Sequence, residues 1–217
     1  MSMFCYQCQE TAKNTGCTIA GVCGKKADIA NLQDELVKEL KVLALKYENS
    51  DDIAEVGLLI CQSLFMTITN ANFDATAISA QIDKVKALNA SCCGSGCAPL
   101  GVLSCENEDL RSLRELLTYG LKGIAAYADH AAVLGKEDNA IYAFMIKALA
   151  ACTKDLEASE LINLVLECGE VAVTTMALLD AANTGTFGNP EITSVKLGVG
   201  TRPGILISGH DLQDLKE

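Results

Sequence analysis

Four cysteines lie within the first 23 residues of the chain, at Cys5, Cys8, Cys17 and Cys23. Their spacing is C-x2-C-x8-C-x5-C, and glycines stand beside several of them. The two-residue gap lets a pair of thiolates face one centre, because the backbone curls around that centre with its amides pointing inward. The longer gaps allow Cys17 and Cys23 to approach the same centre from its opposite side. The pattern predicts a loop that folds around a metal centre.

Three interpretations of this loop compete. Ordinary free thiols are disfavoured, because unligated thiols seldom crowd a surface loop. Structural zinc fits four thiolates by charge and number, but zinc sites usually have two short knuckles and only the first cysteine pair forms one here. An iron–sulfur cluster is larger than one ion and tolerates unequal spans, so the spacing favours it and leaves zinc open. Lys13, Lys25 and Lys26 add nearby positive charge that solvent would screen.

The composition narrows the class of protein. The 217 residues carry a net charge of −11, and this argues against a nucleic-acid partner because phosphate binding relies on clustered Lys and Arg. No apolar run is long enough to span a bilayer, and the N-terminus does not resemble a secretory signal. We therefore expect a cytoplasmic protein without a membrane partner. Its eleven cysteines are expected to stay reduced, so a metal or redox cofactor explains a tight cluster among them.

The rest of the chain is predominantly helical in pattern. Leu32, Leu36, Leu40 and Leu43 recur at helical spacing, and further helices are predicted after residue 52 and near 74–88, 107–135, 137–152 and 159–181. From Pro190 the pattern changes to short β-branched runs between glycines. Residues 204–207 predict a buried strand that delivers Ser208, Gly209 and His210 at its end.

These patterns predict a mainly α fold. Two antiparallel helical bundles, or one elongated bundle, follow the N-terminal cysteine loop, and the start of a Rossmann-like α/β domain stands at the C-terminus. The corresponding domains are the cluster loop 1–29, the helical region 30–185 and a truncated α/β beginning at 186–217.

The remaining cysteines are interpreted less specifically. Cys61, Cys152 and Cys168 fall within helical patterns and are predicted to be small buried hydrophobes. A Gly- and Ser-rich stretch between residues 90 and 105 reads as a variable loop with incidental thiols, with a second metal site or a labile disulfide as the alternative. Its cysteines are Cys92, Cys93, Cys97 and Cys105.

Several segments together resemble a known family. The chain is similar to the hybrid cluster proteins, also called prismane proteins or hydroxylamine reductases, from Met3 to its last residues, most weakly over 77–105. The similarity is carried by MFCYQCQETAKNTGCTIAGVCGK, TITNANFDA, NEDLRSLRELLTYGLKGIAAYADHAAVLG, VAVTTMALLDAANTGTFGNPEI and PGILISGHDLQDL.

The resemblance implies a [4Fe-4S] cubane on Cys5, Cys8, Cys17 and Cys23, since the compact spacing goes with the four-iron cluster. It also implies that His210 is a ligand of the family's reactive centre, a hybrid [4Fe-2O-2S] cluster. Without the resemblance, His210 would be interpreted as a solvated or packing residue. The other hybrid-cluster ligands of the family lie in downstream domains that this chain does not contain. The chain alone is therefore expected to bind the cubane and not the reactive centre.

The function implied by the resemblance is redox chemistry. Family members reduce hydroxylamine, to ammonia, or nitric oxide, with electrons from a redox partner protein that enter through the cubane. No catalytic residue is assigned within this chain. A stand-alone electron carrier and a helical module with structural zinc remain the alternatives.

Overall fold

The computed structural model describes residues 2–50, 53–89, 100–207 and 212–216. No strand occurs within these ranges, so the mainly α prediction is confirmed. Two short 3-10 helices, Ala12–Asn14 and Val102–Ser104, accompany the α-helices, which are α1 Ala27–Tyr47, α2 Ala54–Met66, α3 Ala75–Asn89, α4 Glu108–Val133, α5 Asn139–Ala151, α6 Ala158–Phe187 and α7 Leu212–Lys216.

Side-chain caps begin several of these helices. The Asn107 side chain accepts hydrogen bonds from the first-turn amides of α4, and Asp138 accepts one from the Ala140 amide of α5. At α6 a reciprocal capping box joins Glu157 and Glu160. Such caps satisfy amides that have no partner inside the helix, and they help to fix where α4, α5 and α6 begin.

One hydrophobic cluster joins α1 to α6. The predicted leucine stripe of α1 is fully buried at Leu36, Leu40 and Leu43, and it packs with residues of the other five helices. The core therefore favours one bundle over two, since helices from both halves share the same apolar interior. Cys61, Cys152 and Cys168 are buried in this cluster, which confirms their interpretation as small hydrophobes. The division at residues 29 and 185 stays a prediction.

Helix α6 is long and apolar. It buries Leu161, Cys168, Thr175 and Ala182, which recur every seventh residue and form a narrow inward seam. The helix packs along α4, and much of its remaining surface is exposed. In the described part of the chain it is the one helix whose length and composition would allow it to cross a membrane. That finding is weak evidence, because core helices pass the same test.

The C-terminal tail corrects one prediction. Residues 188–207 have no regular structure, and Ile205, Leu206 and Ile207 are exposed instead of buried. A strand needs a neighbour to satisfy its backbone groups, and no paired strand occurs over the described ranges. The Rossmann-like beginning is therefore not supported. His210, which the predicted strand would position, lies outside the described residues.

Candidate metal centre

The first and third cysteines are joined through their backbones. Cys5 and Cys17 form an isolated antiparallel bridge, in which the Cys5 amide donates to the Cys17 carbonyl at 3.1 Å and the Cys17 amide donates back at 2.8 Å. The Met3 amide extends the pairing with a 3.4 Å hydrogen bond to the Thr18 carbonyl. These main-chain hydrogen bonds hold the segment around Cys5 beside the segment around Cys17.

The second cysteine lies in a tight turn. The Thr11 amide and hydroxyl both donate to the Cys8 carbonyl, at 3.2 and 2.8 Å. One residue further, the Ala12 amide donates to the Cys17 Sγ at 3.5 Å. Amides aimed at cysteine sulfur stabilise thiolate charge, so this turn prepares Cys17 for ligation.

Glycines permit the turn around the fourth cysteine. The Gly21 amide donates to the Lys25 carbonyl at 2.8 Å, and the Gly24 amide donates to the Gly21 carbonyl at 2.9 Å. Gly24 has φ +89°, a conformation that side chains disfavour. A Cβ atom on Gly21 would lie 2.9 Å from the Cys23 Sγ, so the backbone approaches that sulfur too closely for another residue.

All four cysteines line one cavity of about 300 Å³, called here the cysteine cavity. Cys17 is buried, Cys5 and Cys8 are half-buried, and Cys23 is exposed. The other residues that line the cysteine cavity are Gln7, Glu10, Thr11, Gly21, Val22, Lys25, Thr69 and Asn70.

The cavity suits a group larger than one ion. Within the ranges that the structure describes, no three His, Cys, Asp or Glu side chains stand close enough together to hold a single metal ion. Zinc would need the four sulfurs to converge at bonds of about 2.3 Å. Four thiols that line one shared cavity are also the donor set that an iron–sulfur cluster uses.

Two buried lysines lie against this loop. Lys25 is 1% exposed, and its Nζ donates to Gln33 Oε1 at 2.6 Å. Lys122 of α4 is 5% exposed, and its Nζ donates to the Thr67 carbonyl at 3.2 Å and to Gln7 Oε1 at 3.4 Å. The expectation that solvent screens Lys25 is therefore wrong, because the side chain is sealed from solvent.

The burial of Lys122 was missed from the sequence. Burial, and then the nearby charge of Lys25, lower the pKa of Lys122 to about 8. A signal was present: Lys122 follows Thr118 by one helical turn and precedes Ala125 by another, and both neighbours are buried on the inner face of α4.

A small polar chamber of about 30 Å³ adjoins the cysteine loop between α1 and α4. Burial raises the pKa of the Asp34 carboxyl to about 6, while Lys122, the largest opposing charge, acts to lower it. Burial also raises the pKa of Tyr119, with the Glu115 charge as a second cause. The charged residues that line the chamber are Lys25, Asp34, Lys38, Lys41, Glu115 and Lys122.

The other predicted site residues are only partly described. Cys105 is half-buried; the Arg114 Nη1 donates to its Sγ at 3.6 Å, and that Sγ lies 3.5 Å from the Asn107 carbonyl. Cys92, Cys93 and Cys97 lie outside the described residues, as does His210, so their interpretations stay predictions. The structure brings together the four N-terminal cysteines of the predicted set.

The structure is that of a helical-bundle protein with a cysteine-lined cavity, the candidate metal centre, near its N-terminus. The Prismane/CO dehydrogenase family matches residues 3–217, and the chain belongs to this family. Proteins of the family bind iron–sulfur clusters.

Several curated relatives are named hydroxylamine reductase. The protein from Desulfitobacterium hafniense (strain DSM 10664 / DCB-2) is 52% identical over 253 aligned positions, covering 100% of this chain and 46% of the relative. That from Nitratidesulfovibrio vulgaris is 49% identical and covers 99% of this chain and 45% of the relative. The Clostridium novyi protein is also 49% identical, with coverage of 100% and 45%. The chain therefore spans about half the length of the relatives it matches.

Proposed function

We propose that the chain binds a [4Fe-4S] cubane through Cys5, Cys8, Cys17 and Cys23 and serves as the electron-transfer part of a hybrid cluster protein. The observation that carries the proposal is the cysteine cavity, which all four thiols line. Membership of an iron–sulfur family adds support.

The loop's own residues would do the binding. The backbone bridge holds Cys5 against Cys17, and the Ala12 amide stabilises thiolate charge on Cys17. When bound, the cubane supplies one-electron transfer at a potential set by its ligands and surroundings. Buried Cys17 and Lys25 close the inner side of the cavity against water. Cys23 is exposed, so the outer side of the cavity faces solvent. We assign that outer side as the approach for a redox partner protein, the electron donor.

In a longer protein, His210 would contribute one ligand to a hybrid [4Fe-2O-2S] cluster, and the other ligands would come from residues outside this chain. The reaction proposed there is reduction of hydroxylamine, which the names of the matched relatives support, or of nitric oxide. The proposal includes a cytoplasmic location, a role in nitrogen metabolism and no nucleic-acid or membrane partner.

Anaerobic purification followed by iron, sulfide and zinc analysis tests the cubane. We expect iron and sulfide in equal amounts, a visible absorption that bleaches on reduction, and no zinc. Cys17→Ser is expected to lose most of the iron because it removes the most buried ligand. Cys105→Ser is the matched control, since that half-buried thiol lies outside the cysteine cavity, and it should keep its iron. Zinc without sulfide in the wild-type chain would overturn the proposal.

A stand-alone electron carrier is the second candidate function, favoured by the exposure of Cys23 at the edge of the cavity. A hydroxylamine reduction assay with this chain alone separates an electron carrier from an enzyme that is complete in itself. We expect an iron-loaded chain that accepts and donates electrons without consuming hydroxylamine. Turnover by the chain alone would contradict the assignment of the reactive centre to residues beyond it.

A further inference from the structure

Behind the cysteine cavity stands a buried ammonium group whose hydrogen-bond acceptors, over the described ranges, are uncharged. We propose that Lys122 is the counter-charge of the bound cluster and stabilises its reduced state, an inference that rests on the proposed cubane. The proposal assigns an electrostatic role to a residue of α4 that carries no ligand atom.

The Lys122 ammonium lies against the wall of the cysteine cavity. The Lys122 Nζ donates to Gln7 Oε1, and Gln7 lies between Cys5 and Cys8 and itself lines the cysteine cavity. Its second acceptor is the Thr67 carbonyl, in the segment after α2 that also contributes Thr69 to the cavity lining. The ammonium therefore contacts two segments that form the cavity wall.

The charge of this group is not neutralised locally. Its acceptors are an amide oxygen and a carbonyl oxygen, both uncharged. Over the described residues, the ion pairs present all involve other lysines, so the carboxylates of Asp34 and Glu115 act on Lys122 only at longer range. Lys25, another buried lysine, likewise donates to the neutral Gln33 amide and adds to the positive charge.

Buried positive charge without an anion is costly, and a nearby anionic group would offset the cost. Four thiolates together with an iron–sulfur cluster form such an anion. Reduction adds one more negative charge to it. In a low-dielectric surrounding a fixed ammonium favours the more negative state, so it raises the reduction potential. Loss of the ammonium should therefore lower that potential.

The test is a redox titration of iron-loaded protein. For Lys122→Met we expect the equilibrium constant for one-electron reduction to fall about tenfold, a shift of about 59 mV to lower potential. Lys122→Arg retains the charge and should stay near the wild-type value. Lys26→Met removes an equal charge from an exposed position close to the loop, and its effect should be small and vanish at high salt. The Lys122→Met shift should persist at high salt.

Gln7→Leu separates charge from positioning, because it removes the hydrogen bond to Lys122 and leaves the ammonium in place. A smaller shift than for Lys122→Met supports the counter-charge role, and an equal shift would overturn it. An iron-loaded Lys122→Met protein with an unchanged potential would also overturn it.

Iron content distinguishes the remaining outcomes. If Lys122→Met and Lys122→Gln both lose iron while Lys122→Arg keeps it, the charge is needed to hold the cluster, which supports the inference. If Lys122→Arg loses iron as well, the side chain acts through its shape and the inference fails. Absence of iron from the wild-type chain would overturn the proposed function, and this inference with it.

Discussion

Cys5 and Cys17 exchange two backbone hydrogen bonds, so the amide and carbonyl of one predicted ligand pair with the carbonyl and amide of another. The separation of their backbones is consequently set by main-chain hydrogen bonds. Substitutions that displace this backbone should damage the site as severely as removal of a ligand.

Gly16 tests that expectation. A Cβ atom at this position would lie 2.5 Å from the Phe4 ring, so Gly16→Ala forces that ring, on the residue before Cys5, to shift. We expect a loss of stability of about 1–3 kcal/mol by urea unfolding, together with reduced iron content. Gly169→Ala, in α6 with no atom near its Cβ position, should instead stabilise by about 1 kcal/mol. Full iron content in Gly16→Ala would argue against a backbone-held site.

Asp34 should make stability depend on pH. Its folded pKa of about 6 exceeds the ordinary value of 3.8, so the folded state binds the proton more tightly than the unfolded state. The stability that the protonated Asp34 carboxyl contributes is fully present below about pH 4 and is lost as pH rises through 6. Asp34→Asn removes this loss and should raise the free energy of unfolding by up to about 3 kcal/mol at pH 7.

Unfolding by urea at several pH values between 4 and 7 checks the effect of Asp34→Asn. The gain over wild type should shrink toward zero at the acid end. Asp83→Asn, at an exposed position of α3, is the matched control and should leave the pH profile unchanged. A gain that is equal at all pH values would contradict the assignment.

Gly57 should be indispensable to the contact between α2 and α5. A Cβ atom there would lie 2.4 Å from the buried Tyr142 side chain. Gly57→Ala is expected to destabilise by about 1–3 kcal/mol, since it forces two packed helices apart. Gly123→Ala in α4, where the Cβ meets open space, should be neutral or stabilising. Equal stabilities of the two variants in thermal unfolding would refute the packing argument.

The thiols should differ sharply in reactivity. Burial raises the pKa of Cys61 and of Cys152, which leaves little thiolate to react, whereas Cys23 is exposed. In iron-free folded protein, peptide mapping after brief alkylation should find Cys23 modified and the two buried thiols intact. Bound iron should then protect Cys23. Rapid labelling of Cys61 under native conditions would show that the core opens more readily than its packing indicates.

The helices, and the gathering of the four N-terminal cysteines around one cavity, were predictable from local patterns. The leucine stripe of α1 identifies its buried face because residues three and four apart lie on one side of a helix. The cysteine spacing predicted that four thiols gather, and all of them line one cavity. At the other end of the chain the local pattern failed, because Ile205 and Leu206 have strand-like composition but no partner strand within the described ranges.

The amino-acid sequence alone determined which sulfur atoms could bind a metal and which face of each helix is apolar. Both follow from residue type and short-range spacing. Only the tertiary structure decided that Lys25 and Lys122 are sealed beside the cysteine cavity and that one core joins all six long helices. The physical reason is that burial of a charge depends on segments distant in sequence, here Gln7 and Thr67 around one ammonium of α4.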